Sequence, residues 1–304
     1  FMIRSSRSYV VFALFFITAP ALAQPKWLEG KYDAHRDIEY AKVESKQGEM
    51  SLKLDVYVPK DVKKDAKLPC VVWIHGGGWR QGSKNNPQIL ALVAHGYVVA
   101  SVQYRLSHQA IFPAQIHDCK GAIRFLRANA EKYHIDPKHI GAGGASAGGH
   151  LVALLGTSGD VKELEGDVGG NADHSSRVQA VYDLFGPSDF TQMNAHRPPG
   201  AKLDHDSPNS PEALLIGGPI QENKDKVARA NPITYVTKDD PPFFIMHGDK
   251  DPLVPHHQSE ILVEALKKAD VSVKLFTVEG GGHGWRRTPE MEAMVVKFFD
   301  AHLK

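Results

Sequence analysis

Short motifs in this sequence carry the side chains that could do chemistry. Gly-Ala-Ser-Ala-Gly at 144–148 places Ser146 between a strand-like apolar run and a helix-like apolar run. A serine on a tight turn between a buried strand and a helix is a nucleophile elbow, whose glycines leave room for the turn. The motif predicts an exposed hydroxyl beside the first N–H groups of a helix.

A serine hydroxyl attacks well only when a base takes its proton and a carboxylate orients that base. After Ser146 the chain offers His-Gly-Asp-Lys-Asp at 247–251 and Gly-Gly-Gly-His-Gly at 280–284. Each loop follows an apolar strand-like run, so both are expected at the same edge of a sheet. We predict Asp251 as the orienting acid and His283 as the base.

Asp249 competes with Asp251 for the role of the acid. It lies closer to the strand end, where a carboxylate can instead tie a loop through backbone N–H groups. Sixteen histidines occur in the chain, so a histidine near a serine is weak evidence alone. His283 is distinguished by the glycines on both sides of it.

A glycine run upstream supplies candidate donors for the oxyanion of an acyl-transfer reaction. His-Gly-Gly-Gly-Trp at 75–79 follows a predicted strand, and its backbone N–H groups are unobstructed by side chains. Gly77 and Gly78, with the N–H of Ala147, form the predicted oxyanion hole. Trp79 and Trp285 are predicted to wall the acyl and alcohol pockets, with a place in the hydrophobic core as the alternative.

Strands and helices alternate along the part of the chain that must position these loops. Short apolar runs predict buried parallel strands that begin near Cys70, Tyr97, Ile140, Pro242 and Val271. Helical segments are predicted at 88–94, 114–132, 149–155, 258–268 and 289–302. Residues 38–59 alternate in polarity about a turn at 47–49, which predicts a hairpin. The pattern predicts an α/β fold whose mostly parallel sheet has an antiparallel N-terminal edge.

The alternation stops between residues 186 and 241. This stretch is rich in proline and polar residues, with short helical patches at 211–215 and 225–230. A connection of this length is usually functional or disordered. Its flanks lead to strand ends, so we predict a cap over the active site, with a loose surface insertion as the alternative.

The chain has 304 residues and a formal net charge of +1, which gives no indication of nucleic-acid binding. Residues 1–23 combine a basic start, a short apolar run and Ala-Leu-Ala, which predicts a cleavable signal peptide. A membrane anchor is the alternative, but the apolar run is about half of the ~20 residues that cross a bilayer. We therefore predict a secreted or periplasmic domain over 24–304 without a stable membrane anchor.

Export would permit a disulfide between Cys70 and Cys119. Cys70 begins a predicted strand and Cys119 lies early in a predicted helix, so we expect them at opposite edges of the sheet. That separation exceeds the roughly 7 Å limit for a bridge and predicts two buried free thiols. The sequence has no His-Glu-x-x-His pair and its two cysteines are far apart, so we predict no catalytic metal.

Together these motifs resemble the α/β-hydrolase serine esterases near the hormone-sensitive-lipase group, and in particular the feruloyl and acetylxylan esterase-like branch. Phe-Pro-Ala-Gln-Ile-His-Asp at 112–118 and Phe-Gly-Pro-Ser-Asp at 185–189 are also similar to that branch. The resemblance extends from about Ile38 to the end of the sequence. Ala145 departs from the lipase-like pattern, which usually has an acidic residue before the nucleophile.

The resemblance implies a secreted serine carboxylesterase that acts through an acyl-enzyme and needs no cofactor. Its expected substrates are short-chain or aromatic acyl esters, including acetyl or feruloyl groups linked to plant polysaccharide. One alternative is a prolyl-oligopeptidase-type serine peptidase, although such enzymes usually carry a large β-domain for which these residues leave no room. The other is a non-catalytic hydrolase fold that binds a ligand, which loss of a triad residue would indicate.

Overall fold

A computed structural model describes residues 26–85 and 87–304, and the predicted signal peptide at 1–23 lies outside them. The strands are β1 Tyr32–Ser45, β2 Gly48–Pro59, β3 Leu68–Ile74, β4 Val98–Val102, β5 Ile135–Ala145, β6 Val181–Leu184, β7 Phe243–Gly248 and β8 Val273–Val278. They form one eight-stranded sheet in the order β1-β2-β4-β3-β5-β6-β7-β8.

The antiparallel N-terminal edge is confirmed. β1 and β2 form the predicted hairpin, in which Ser45 lies opposite Gly48, and β2 pairs antiparallel with β4. From β4 to β8 every neighbouring pair is parallel. Parallel strands end at the same edge, so the loops after β3, β5, β7 and β8 converge there.

The α-helices are α1 Ala114–Ala128, α2 Ala147–Thr157, α3 Lys162–Glu165, α4 Pro211–Ile216, α5 Lys224–Ala230, α6 His257–Lys268 and α7 Pro289–Leu303. The predicted helix at 114–132 ends earlier, at Ala128, where the backbone N–H and the side-chain amide of Asn129 both donate to the Phe125 carbonyl. The segment predicted at 88–94 is a 3₁₀ helix, Leu90–His95. None of the helices in the described part of the chain is long and apolar enough to cross a membrane.

β6 is a strand that the sequence analysis did not predict. It has four residues, and Asp183 interrupts its apolar pattern. The Asp183 carboxyl is buried behind α2, where Oδ1 accepts a hydrogen bond of 2.9 Å from Gly186 N. Oδ2 has no hydrogen-bond partner among the described residues. Burial therefore raises the pKa of this carboxyl to about 7.

Two buried clusters cover the two faces of the sheet. Alternate residues of β3 divide between them, with Cys70, Val72 and Ile74 on one face and Val71 and Trp73 on the other. Cys70 and Cys119 are both buried and free, as predicted, although they belong to the same cluster. Burial raises the pKa of both thiols, to about 12 for Cys70.

Residues 186–241 pack into the core and do not form a loose insertion. Seven of their buried apolar residues share one cluster with α2: Phe190, Met193, Leu215, Ile216, Ile220, Val227 and Ala230. The backbone N–H groups of Ser188 and Asp189 both donate to Gln258 Oε1 at the start of α6. This segment, called the cap below, is therefore fastened to the core of the domain.

Asp183→Asn should make the free energy of unfolding less dependent on pH. Above pH ~4 the unfolded chain ionises this carboxyl, whereas the folded protein keeps its proton up to a pKa of about 7. The folded state then binds the extra proton, so wild-type stability falls as pH rises through that window. Relative to wild type, the free energy of unfolding of the variant should rise by roughly 3 kcal/mol between about pH 5 and pH 8. Urea denaturation followed by circular dichroism measures this difference, and an equal difference at both pH values would contradict it.

Candidate active site

Ser146 occupies the single-residue turn between β5 and α2. Its backbone has φ 56° and ψ −120°, a strained conformation for a residue with a side chain. Its N–H donates to the Leu184 carbonyl at 2.8 Å, which fixes the turn to β6. A Cβ at Gly148 would lie 2.1 Å from the Ile74 carbonyl oxygen, so only glycine allows α2 to approach β3 this closely. These contacts hold the serine in the geometry of a nucleophile elbow.

The structure brings Ser146, His283 and Asp251 into one hydrogen-bonded chain. Ser146 Oγ lies 2.9 Å from His283 Nε2, and His283 Nδ1 lies 2.7 Å from Asp251 Oδ2. An ionised carboxylate only accepts, so Nδ1 carries the proton and Nε2 presents its lone pair to the serine hydroxyl. His283 is therefore held as a base toward Ser146.

The Asp251 carboxylate is completely buried at the end of the loop after β7. Oδ1 accepts hydrogen bonds from Leu253 N at 2.8 Å and Val254 N at 2.9 Å. Burial alone would raise the pKa of this carboxyl, but the neighbouring imidazoles of His247 and His283 outweigh burial and hold the pKa well below its usual range. Asp251 therefore stays ionised where it faces His283.

Asp249 has the loop-tying role that was the alternative to catalysis. Its Oδ1 accepts a hydrogen bond of 2.6 Å from Gly280 N. Its other oxygen lies 3.3 Å from Lys250 Nζ, and a third of its side chain is exposed. Asp249 thus joins the acid loop to the histidine loop, while Asp251 contacts His283.

The glycine loop after β3 lies against the nucleophile. A Cβ at Gly76 would sit 3.3 Å from Ser146 Cβ. Gly77 and Gly78 have φ of 109° and 59°, and their N–H groups make no hydrogen bond to another residue of the described chain. Ala147 begins α2, where the first N–H groups have no intrahelical acceptor. Hydrogen bonding within the described chain thus leaves the N–H groups of the three predicted oxyanion donors available.

His75 stabilises the glycine loop and is not a second base. Its Nδ1 donates to the Gly76 carbonyl at 2.8 Å, and its ring stacks on Tyr104 with centroids 4.4 Å apart. Burial lowers the pKa of His75 to about 4, so the ring stays neutral at neutral pH. The Tyr104 hydroxyl donates to the His75 carbonyl at 3.0 Å and completes this support.

The two predicted pocket tryptophans have different surroundings. The prediction that Trp79 walls a pocket is wrong. This residue is 2% exposed, and its ring packs edge-on against His150 and Phe190 in the core. It has too little free surface to wall a pocket. Trp285 is partly buried and packs against Phe185, whose ring centroid lies 4.6 Å from that of His283. Phe185 therefore contacts both Trp285 and the candidate base, His283.

Several residues that shape this site carry little or no signal in the sequence. Phe185 has a φ of 46° and packs on His283; its only signal was membership of the Phe-Gly-Pro-Ser-Asp motif. Pro211 begins α4 and lies 3.4 Å from where a Cβ at Gly78 would be, a contact for which the sequence has no signal. The cap thus lies close to the glycine loop after β3.

His150 makes the second contact between the cap and the catalytic elements. Its Nε2 donates to the Ala230 carbonyl at 2.7 Å. Burial lowers the pKa of His150 to about 4, so this anchor is a neutral imidazole. In the described part of the chain, no three His, Cys, Asp or Glu side chains come together as a group that could hold a metal ion.

A serine, a histidine and a buried carboxylate, joined in that order at the carboxyl edge of a mostly parallel sheet, define an α/β-hydrolase with an acyl-transfer site. The sequence pattern of one α/β-hydrolase family, BD-FAE, matches residues 54–266. The chain belongs to the BD-FAE family, and this hydrolase domain is a carboxylesterase.

Relatives and solved structures agree with this class. Esterase LipC of Mycobacterium tuberculosis is 31% identical over 76% of this chain and 56% of its own length. A solved carbohydrate esterase from gut microbiota is 36% identical with a TM-score of 0.79, covering 90% of this chain and 97% of that one. A bifunctional GH43-CE protein of Bacteroides eggerthii is 39% identical with a TM-score of 0.78, covering 88% and 38%. The chain spans about half the length of the curated relatives it matches.

Asp251→Asn should separate the two candidate acids. An amide in place of the carboxylate favours the wrong tautomer of His283, so kcat for p-nitrophenyl acetate should fall by about 10⁴-fold. Asp249→Asn is the matched control, since its amide oxygen still accepts from Gly280 and its effect should stay below about threefold. An equal loss in the two variants, measured by steady-state kinetics, would refute the assignment of Asp251.

Proposed function

We propose that Ser146 is the nucleophile of a two-step ester hydrolysis. Its oxygen attacks the ester carbonyl while its proton moves to His283 Nε2. The N–H groups of Gly77, Gly78 and Ala147 stabilise the resulting oxyanion, each contributing roughly 3 kcal/mol to transition-state stabilisation. The carbon–oxygen bond to the alcohol then breaks, and the departing oxygen takes the proton from His283.

The second step reverses these roles with water. His283 removes a proton from a water molecule, whose oxygen attacks the acyl carbon of the acyl-enzyme. The bond from that carbon to Ser146 Oγ then breaks, Oγ takes the proton from His283, and the acid departs. Asp251 stays ionised and stabilises the imidazolium that forms in each step. The observation that carries this proposal is the chain of hydrogen bonds of 2.9 and 2.7 Å from the serine through the histidine to the carboxylate.

We propose further that the substrates are acyl esters of carbohydrates, such as acetylated or feruloylated sugars. Support comes from the match to the BD-FAE family and from the similarity to two solved proteins named as a carbohydrate esterase and a GH43-CE bifunctional protein. Exposed apolar side chains suited to a sugar face or an aromatic acyl group also lie on the cap and on the loop before α1. Ile111 and Leu214 are 40% and 36% exposed, on the loop before α1 and on the cap helix α4.

The substrate class predicts an order of activity across a small panel of compounds. Acetylated xylan and methyl ferulate should be hydrolysed with kcat/KM above that for p-nitrophenyl butyrate, and a prolyl peptide amide should be inert. Ser146→Ala should lower kcat on every ester by on the order of 10⁶-fold. Product release by the wild-type enzyme is followed by chromatography.

The outcomes of the panel separate the parts of this proposal. Near-wild-type turnover by Ser146→Ala would remove the serine mechanism. Loss of activity in that variant together with a wild-type preference for simple esters would leave the mechanism and remove the carbohydrate substrate. Faster cleavage of the prolyl amide would instead favour a peptidase.

We also propose that residues 1–23 direct export, since a carbohydrate polymer lies outside the cell. Expression of the full sequence in a bacterial host should yield a mature protein that begins at Gln24 in the periplasm or medium. N-terminal sequencing of the purified protein checks the cleavage site. A protein retained in the cytoplasm with residues 1–23 intact would contradict export.

A further inference from the structure

His247 is a buried histidine behind the candidate acid, and the proposed mechanism gives it no role. It lies near the end of β7, and its side chain is completely buried. Nε2 is 2.9 Å from the Val254 carbonyl oxygen and 3.3 Å from Asp251 Oδ2. Nδ1 is 2.7 Å from Ser259 Oγ on the first turn of α6. Both ring nitrogens therefore have partners within the protein.

These partners determine where the proton of His247 lies. A carbonyl oxygen and a carboxylate oxygen can only accept, so Nε2, which faces both, must carry a hydrogen. Ser259 can then donate its hydroxyl hydrogen to Nδ1, and the ring needs no charge. Ser259 is itself fully buried, so α6 fixes both the tautomer and the orientation of the imidazole.

The His247 imidazole closes a ring of contacts around the Asp251 carboxylate. Val254 donates its N–H to Asp251 Oδ1 and accepts the Nε2 hydrogen of His247 on its carbonyl. The same Nε2 lies 3.3 Å from Oδ2, the oxygen that accepts from His283. Removing His247 would leave one side of Oδ2 without a nearby N–H. It would also leave the Val254 carbonyl, in the loop that bears Asp251, without its hydrogen bond.

We propose that His247 is a positioning residue for the reaction, and that Ser259 orients it. The functional chain then runs from Ser259 through His247 and Asp251 to His283 and Ser146. In this series of contacts the His247 N–H stabilises part of the negative charge on Asp251 Oδ2. Asp251 therefore attracts the proton of His283 less strongly. The inference rests on the proposed roles of Ser146, His283 and Asp251 but not on the natural substrate.

Substitutions at His247 test the proposal with p-nitrophenyl acetate as substrate. His247→Leu removes the donor but keeps a buried side chain, and kcat should fall by about 10- to 100-fold with little change in KM. His247→Gln retains an N–H donor near the position of Nε2 and should recover most of that loss. His139→Leu makes the same change at the opposite edge of the sheet, on an imidazole paired with Asp136, and should not alter kcat.

A pH profile distinguishes positioning from structural support. Without the His247 N–H, Asp251 should hold the imidazolium form of His283 more strongly, so the acidic limb of the kcat/KM profile should move to higher pH. The other titratable ring against His247 is His256, whose centroid lies 5.3 Å away and whose nitrogens face Glu260 and Thr277. A purely structural role would lower the active fraction without moving this limb.

Ser259→Ala provides a second variant in case His247→Leu does not fold. It removes the hydroxyl that sets the tautomer without touching Asp251, and it should lower kcat and shift the acidic limb in the same direction. If the folded variants keep wild-type kcat and pH profile while Ser146→Ala is inactive, the role of His247 is refuted and the proposed mechanism stands. An active Ser146→Ala would refute the proposed mechanism itself.

Discussion

The buried negative charge of Asp251 is the constraint on which the site depends. An ionised carboxylate is costly to bury unless hydrogen-bond donors replace its water. Here the donors come from its own loop and from two imidazoles, so the charge is tolerable only when several segments are in place together. The bond from Gly280 to Asp249 joins the two loops that must meet for this to happen. The contacts that hold Asp251 in place for catalysis are therefore the same contacts that this edge of the sheet needs in order to fold.

A second constraint is steric and acts on the backbone of the nucleophile. The strained φ of Ser146 is held between β6, which accepts its N–H, and the close packing of α2 on β3. The glycine loop rests on the same residue, with a neutral His75 beneath it. The serine hydroxyl and the oxyanion donors are thus arranged before any substrate binds, which is the condition for electrostatic preorganisation.

The sequence predicted the parts of this molecule that follow local rules. The fold class, the hairpin edge and the loops bearing Ser146, Asp251 and His283 follow from apolar runs that end in glycine-rich turns. β6 was not predicted because Asp183 interrupts its short apolar run, and only the completed fold shows that this carboxyl is buried. The core position of Trp79 depends on His150 and Phe190, which are distant in sequence. Packing between distant segments has no local pattern, so residues such as Pro211 could not be assigned.

The attachment of the cap has an evolutionary consequence. Phe190 and Leu215 are fully buried in the same core as α2, so the cap is also part of what keeps this domain folded. Substitutions at these positions would lower stability. The exposed Leu214 lies beside the buried Leu215 on the same short helix and is free of that restriction. Sequence change in the cap is therefore less restricted at its exposed positions than at its buried ones.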